Sequence, residues 1–280
     1  MSHIDKKQSL AVTAVIFTRN EENNIAQCIA SLDSFNSIMI VDSESTDQTL
    51  NIARSYDVTI VNFSWDGKYP KKRQWVLDNC KFKTRWIMFI DADERCTPEL
   101  LSEIQEFLAL REETFAAASV RLDYYFLGKF LRFGHKNWKT VLLDPNKTYF
   151  EPIDDLEAPG MGELEGHYQP KIHGKTFKFK NGLVHYDNDP FHSWAERHIR
   201  YARWEGYLLN RPDVRSSVYR RKSRPNRGLR LLKFQGLFFF IYAYFFKLGF
   251  LDGRAGFDYA FGRAWYYWLS SVIARDEKRA

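Results

Sequence analysis

The sequence predicts an α/β fold: a mostly parallel central sheet with helices on both faces, followed by C-terminal amphipathic helices. Apolar runs and helical signals alternate through the first hundred residues, as in successive βα units. Two of the apolar runs stop at acids, Asp42 and the pair Asp91-Ala92-Asp93. Beyond residue 210 the composition turns first basic and then aromatic.

Residues 11–17 are apolar and read as the first strand; they are too short, and too plainly followed by Thr18-Arg19-Asn20-Glu21-Glu22, for a signal peptide. A helix is expected over 22–32, a strand over 37–41, a helix over 46–56 and a strand over 58–61. Ser45-Thr46-Asp47-Gln48 has the spacing of a capping box for the second helix. Residues 69–80 read as a third helix, 85–90 as a central strand, and 98–110 as a helix with Pro98 in its first turn. After Thr114 the pattern becomes β-rich and irregular, with runs at 115–126, 129–133, 140–143 and 177–185, and antiparallel additions are expected there. Helical periodicity returns over 191–210.

The 280 residues carry a net charge of +6, but residues 211–233 alone hold nine Lys or Arg against Asp213, leaving −2 for the rest. One basic patch, rather than a generally basic surface, argues against a nucleic-acid binder. Cys28, Cys80 and Cys96 are too few and too scattered for a disulfide framework or a zinc knuckle, which fits a reducing compartment. Aromatic residues make up 16% of the chain, and nine of them fall within 234–250.

An Asp-x-Asp at the carboxyl end of a buried strand suits a divalent cation holding a diphosphate, because Mg²⁺ and Mn²⁺ take carboxylate and phosphate oxygens. Open α/β sheets bind ligands at that edge. A second Asp-x-Asp, Asp187-Asn188-Asp189, has no comparable apolar run before it. Asp42 should share the rim, either accepting hydrogen bonds from a base or ribose or capping the Ser45 turn. Thr18-Arg19-Asn20-Glu21 offers donors and acceptors there, or a cap for the first helix with Asn20 as N-cap. Lys71, Lys72 and Arg73 could face diphosphate oxygens or form a solvated face.

These blocks, Ala11 to Glu21, Ile38-Met39-Ile40-Val41-Asp42-Ser43-Glu44-Ser45-Thr46-Asp47-Gln48-Thr49 and Trp86-Ile87-Met88-Phe89-Ile90-Asp91-Ala92-Asp93-Glu94, resemble the family 2 glycosyltransferases of GT-A fold. The resemblance is nearest to bacterial enzymes that add a sugar to lipopolysaccharide core or lipid-linked polysaccharide, and Gly249-Phe250-Leu251-Asp252-Gly253 is similar to theirs. It implies inverting transfer from a nucleotide sugar, a UDP-sugar by expectation, with Mn²⁺ or Mg²⁺. Thr18, Asn20, Glu21 and Asp42 would lie near the nucleoside with Arg73, Asp91 at the ribose or metal, and Asp93 at the metal. Where the family often has Asn after a basic residue in the third helix, this chain has Arg73-Gln74.

Inversion requires a base opposite the departing diphosphate. The resemblance places it in Met161-Gly162-Glu163-Leu164-Glu165-Gly166-His167, with Glu165 the first choice and Glu163 the alternative; in an extended segment the two would face opposite ways. His185 is a candidate third metal ligand or diphosphate contact, or a packed core histidine. Arg197, His198, Arg200, Tyr201 and Trp204, with Trp194, form a helix suited to an acceptor's sugar and phosphate, or to helix packing.

Residues 1–210 are expected to form the catalytic domain, with a nucleotide-binding half at 1–113 and an acceptor half at 114–210. Residues 211–280 form a basic and aromatic helical module. Its longest apolar run, 237–246, is too short to span a bilayer, which takes about 20 residues. Phe257, Phe261, Ala264, Trp265, Trp268 and Val272 recur at helical spacing. The module would dock on an anionic membrane surface, placing the protein peripherally on the cytoplasmic face of the inner membrane, or pack on the body or a second subunit. A sugar-nucleotide nucleotidyltransferase is a rival, but the loop after the first strand lacks the glycines that cradle phosphate. A non-catalytic membrane-surface binding protein of the same fold is the other.

Overall fold

The computed structural model describes residues 9–165, 169–187, 190–219 and 235–279. Most of the basic run, and Asn188 and Asp189 of the second Asp-x-Asp, lie outside them. A nine-stranded sheet runs in the order β3-β2-β1-β4-β8-β6-β11-β5, with β7 paired to β6. Its strands are β1 (Leu10–Thr18), β2 (Phe35–Asp42), β3 (Thr59–Asn62), β4 (Trp86–Asp91), β5 (Glu94–Cys96), β6 (Ala117–Phe126), β7 (Lys129–Phe130), β8 (Trp138–Leu143) and β11 (Thr176–Asp187). A separate small pair joins β9 (Thr148–Tyr149) to β10 (Lys171–Ile172).

The first four strands are parallel, as their alternation with helices predicts. The second half is mixed rather than simply antiparallel. β8 runs antiparallel to β4 and β6, and β5 to β11, but β6 and β11 are parallel along most of their length. The fifty residues between them supply the long crossover that a parallel pair needs.

The helices are α1 (Ile25–Ala30), α2 (Thr49–Ala53), α3 (Lys72–Asn79), α4 (Pro98–Leu110), α5 (Phe191–Leu209), α6 (Pro212–Tyr219), α7 (Gln235–Ile241) and α8 (Gly253–Glu277). Along β1, Val12, Ala14 and Ile16 join α1 and α4 in one core, while Val15 and Phe17 join Val76 of α3 and Trp204 and Leu208 of α5 in the other. A sheet buried on both faces explains why its strands read as unbroken apolar runs.

Two expected caps are absent. α1 starts only at Ile25, and Asn20 takes a left-handed backbone at φ 57° that Asn tolerates better than most residues. Its Oδ1 accepts from Thr46 N at 2.8 Å instead. α2 starts at Thr49, because Ser45 Oγ is engaged by Asp42 and by Asn20 N, and Asp47 Oδ1 accepts from Thr49 N. The loops after β1 and β2 are thereby laced together, with Glu21 N donating to Thr49 Oγ1, Glu22 N to Asp47 Oδ2, and Gln48 N to Glu22 Oε2. α4 has the expected bounds, with Thr97 Oγ1 accepting from Leu100 N at 3.2 Å.

The C-terminal helices pack closely on the body. α7 runs into a π-helical turn (Tyr242–Phe246) and a 3-10 turn (Gly249–Asp252) before α8. Asp252 accepts from Arg132 N and Phe133 N, and Lys129 Nζ donates to Asp252 O, which clamps that turn to the β7 hairpin. α8 packs along α5, and Ala255 shares a cluster with Tyr124, Phe126, Leu131 and Trp194. On α8, Ala255, Gly256, Ala260, Gly262 and Ala264 are buried, joined further along by Tyr266 and Tyr267, while Phe257, Phe261 and Trp268 point outward.

Candidate active site

The parallel register aligns the carboxyl ends of three strands, pairing Thr18 with Asp42 across β1 and β2 and Phe17 with Asp91 across β1 and β4. Asp42 and Asp91 therefore share one rim, as expected, but only Asp91 is open. Asp42 is buried and its carboxylate accepts from Thr18 Oγ1 at 2.7 Å, Ser45 N at 2.8 Å and Ser45 Oγ at 2.6 Å. It caps the turn, and its oxygens face inward. Thr18 is likewise buried, whereas Asn20 is exposed; Glu21 accepts from Asn24 Nδ2.

The three cations at the start of α3 divide. Lys71 is buried against Asp155 at 2.8 Å, and Asp155 also accepts from Tyr69 OH. Lys72, also buried, donates to Ser43 Oγ at 2.6 Å and lies 3.6 Å from Glu163. Neither is solvated and neither reaches Asp91. Arg73 does, with Nη2 3.5 Å from Asp91 Oδ1.

A lysine absent from the sequence reading completes this cluster. β8 pairs antiparallel with β4, Met88 opposite Leu142, so three residues further along Lys139 comes opposite Asp91. Lys139 Nζ lies 2.6 Å from Asp91 Oδ2 and 2.9 Å from both Glu94 oxygens. Glu94 Oε2 also accepts from Asp91 N at 3.0 Å. Desolvation opposes ionisation of Asp91, yet Lys139 and then Arg73 hold its carboxyl well below the usual range. Burial, above all, raises Glu94 despite the same lysine. Lys139 is raised, because Asp91 and Glu94 outweigh the desolvation that would lower it.

Asp93 meets His185 because β5, directly after it, pairs with β11 and sets His185 opposite Glu94. His185 Nδ1 is 3.3 Å from Asp93 Oδ1. Desolvation again opposes ionisation, and the imidazole brings the Asp93 carboxyl below its ordinary value. The His185 ring stands edge-on to Tyr124 at 5.7 Å, and Tyr124 lies 5.1 Å from Tyr259 of α8, so the C-terminal helix walls the site.

The two glutamates do not sit in an extended segment; residues 161–164 are turns, with Gly162 at φ 51°. Both reach the start of α3. Glu163 Oε1 accepts from Ser43 Oγ at 2.6 Å. Glu165 is buried, its Oε1 accepts from Gln74 N at 2.9 Å, and its Oε2 has no hydrogen-bond partner among the described residues. Burial pushes its carboxyl up. Glu165, Gln74, Phe150 and Glu151 line a cavity of about 290 Å³. Gln74 Oε1 also accepts from Phe150 N at 2.6 Å, so it serves to hold the loop that follows β9.

On α5 the packing alternative holds for two residues. His198 is buried, stacks on Trp194 at 3.7 Å and bonds Trp194 O through Nδ1. Trp204 is fully buried and donates to Asp155 Oδ2 at 3.2 Å. Arg200 is exposed and Arg197 and Tyr201 half-buried. Burial raises the Tyr201 phenol, with the charges of Asp93 and Asp91 adding to it and Arg197 opposing.

The descriptor of glycosyl transferase family 2 matches residues 13–169, more than half of the chain. A lipopolysaccharide core biosynthesis glycosyltransferase, LpsC of Rhizobium meliloti, is 34% identical over 120 residues, covering 41% of this chain and 43% of that protein. An uncharacterized glycosyltransferase of Rickettsia bellii is 34% identical over 113 residues, covering 40% and 37%. The chain thus matches about two fifths of the length of these curated relatives. Among solved structures, a mannosyltransferase from Pyrobaculum calidifontis in complex with GDP-Man and Mn²⁺ is 13% identical with a TM-score of 0.47, covering 96% of this chain and 88% of that one. Staphylococcus aureus TarS is 14% identical with a TM-score of 0.41, covering 96% and 91%. With its family match running from the first strand through the acid rim to the Glu163 and Glu165 turn, the chain belongs to glycosyl transferase family 2.

Proposed function

We propose that the protein transfers a sugar from a nucleotide-sugar donor, a UDP-sugar in the first instance, to a lipid-linked or lipopolysaccharide-type saccharide, with inversion and with a divalent cation. The observation that carries this reading is the gathering of Asp91, Asp93, Arg73, Lys139 and His185 at one strand-end rim. Two cations and a carboxylate–imidazole pair in one place suit a diphosphate and its counter-ion.

The donor set fits Mn²⁺ or Mg²⁺ through Asp93 and His185. Asp93 Oδ1 is buried and faces the imidazole at 3.3 Å. Asp91 is committed to Lys139 and Arg73, and no cluster of three His, Cys, Asp or Glu ligands occurs among the described residues. Donor phosphate oxygens would complete the shell, as is usual for Mg²⁺. When bound, the cation neutralises the departing diphosphate. Arg73 and Lys139 supply further positive charge to the same group.

Glu165 is the base in this reading. Its unpartnered Oε2 takes the proton of the acceptor hydroxyl as that oxygen bonds to the anomeric carbon and the diphosphate leaves from the opposite face. A carboxyl raised by burial is better matched to this task than Glu163, which is held by Ser43 beside Lys72. Calorimetric titration with UDP- and GDP-sugars, with and without Mn²⁺, tests the donor; no binding under any condition rejects the transferase reading. Glu165→Gln keeps an acceptor for Gln74 N, so binding with lost turnover supports the base, and full turnover assigns Glu165 to capping α3 alone.

A further inference from the structure

The C-terminal helices carry an apolar face that nothing among the described residues covers. Small residues let α8 lie close to its neighbours: a Cβ at Gly262 would come within 2.6 Å of the Trp194 ring, and one at Gly256 within 2.1 Å of Gly249 O. Along the first turns of α8 the phenylalanines point the other way. Phe257 and Phe261 stack at 5.9 Å on the outer side of α8, and Trp268 follows on the same face two turns on. Phe240 joins Phe257 to Phe245 of the π turn through ring contacts of 5.7 and 6.4 Å. A Cβ at Gly236 would come within 2.6 Å of Ala264 O, so α7 lies close against α8 there, with Leu237 and Trp268 both exposed. At the tip, Phe246 is 76% exposed and Trp268 is 56% exposed. A connected apolar surface of this kind on a folded chain marks an interaction site.

Charge selects the occupant. Lys247 and Arg254 are exposed on the same elements, and the sequence running into α7 is the segment 211–233 with its net charge of +8. A second copy would set a chain of like net charge against itself, whereas an anionic headgroup layer complements it. No single helix among the described residues is long and apolar enough to cross a membrane; α7 with its π turn and the segment Gly249–Glu277 pass together only as a pair bent by 72°. Such a bent pair with one aromatic face suits lying in the interface plane. We infer that this face seats the protein on an anionic bilayer, with Phe246, Phe261 and Trp268 entering the headgroup–acyl boundary and Lys247 and Arg254 meeting the headgroups.

The inference does not depend on the transferase reading, and vesicle binding and donor binding fail separately. The full chain is sedimented with vesicles of phosphatidylcholine alone and of phosphatidylcholine with phosphatidylglycerol. Binding to the anionic vesicles should exceed that to neutral ones by at least about 10-fold and weaken with salt. Phe246→Glu/Phe261→Glu/Trp268→Glu should lose at least about 10-fold of that binding with an unchanged melting curve. Lys247→Gln/Arg254→Gln, which keeps every aromatic residue of the face, should weaken binding to anionic vesicles only. Absence of binding to either vesicle overturns the inference, as does unchanged binding of the charge variant. A wild-type dimer that the triple Glu variant converts to monomer, with no vesicle binding, assigns the face to self-association instead.

Discussion

Lys139 Nζ lies 2.6 Å from Asp91 Oδ2, so the first acid of the Asp-x-Asp is neutralised by a strand that enters the sheet 48 residues later. The same ammonium holds buried Glu94 at 2.9 Å, and removing it leaves Glu94 without its cation beside an Asp91 that keeps only Arg73 at 3.5 Å among the described ion pairs.

Lys139→Met should therefore destabilise the fold by ~3 kcal/mol in urea unfolding, the scale for breaking a buried pair. Adding Glu94→Gln should recover much of the loss, because it removes the uncompensated buried charge. A loss under about 1 kcal/mol for the single variant would mean that Glu94 is already protonated, the direction in which burial pushes it.

His198 sets a pH dependence. Burial lowers its pKa from 6.5 to about 3, so the folded protein keeps it neutral where the unfolded chain takes up a proton. Its contribution is complete above pH 6.5 and is lost as the pH falls below that, by about 1.4 kcal/mol per pH unit. Glu94 and Glu165, raised by burial, act in the opposite sense as pH rises above the ordinary carboxyl range. The difference between wild type and His198→Phe, measured by urea unfolding from pH 4.5 to 7.5, isolates the histidine. The difference should flatten above about pH 6.5.

Asp252→Ala should cost about 3 kcal/mol, since the N–H groups of Arg132 and Phe133 lose their shared acceptor at a position only 3% exposed. Asp252→Asn, keeping one acceptor oxygen, should cost about half as much. Thermal melting distinguishes the two.

Asp93→Asn should weaken the Mn²⁺-dependent part of sugar-nucleotide binding by about 10- to 100-fold in calorimetry, while leaving the melting temperature nearly unchanged. Equal Mn²⁺ dependence in both proteins would remove Asp93 from the cation site.

The parallel half of the sheet was legible because strands buried on both faces leave an apolar run ending at a polar rim residue, as β4 ends at Asp91. Asp42 was placed correctly on that rim, but whether its oxygens face outward depends on Ser45 and Thr18, which only the folded turn aligns. Lys139 had no local signal, since its meeting with Asp91 rests on the register of an antiparallel strand from the irregular half. His198 and Trp204 show the limit of aromatic patterning: the same spacing serves ligand stacking and helix packing, and burial decides. On α8 the aromatic stripe was visible, but its outward direction follows from Ala255, Gly256, Ala260 and Gly262 on the opposite face.

The cross-bonds between the loops after β1 and β2 have a thermodynamic corollary. Asn20 is fixed by Ser45 and Thr46, and Glu22 by Asp47 and Gln48, so a ligand settling there inherits an ordered surface. Little backbone freedom remains to be frozen, and preorganisation of this kind shows up as a small entropic penalty. The heat-capacity change on nucleotide binding should accordingly scale with the apolar surface of the ligand itself, without the larger excess that accompanies coupled loop folding.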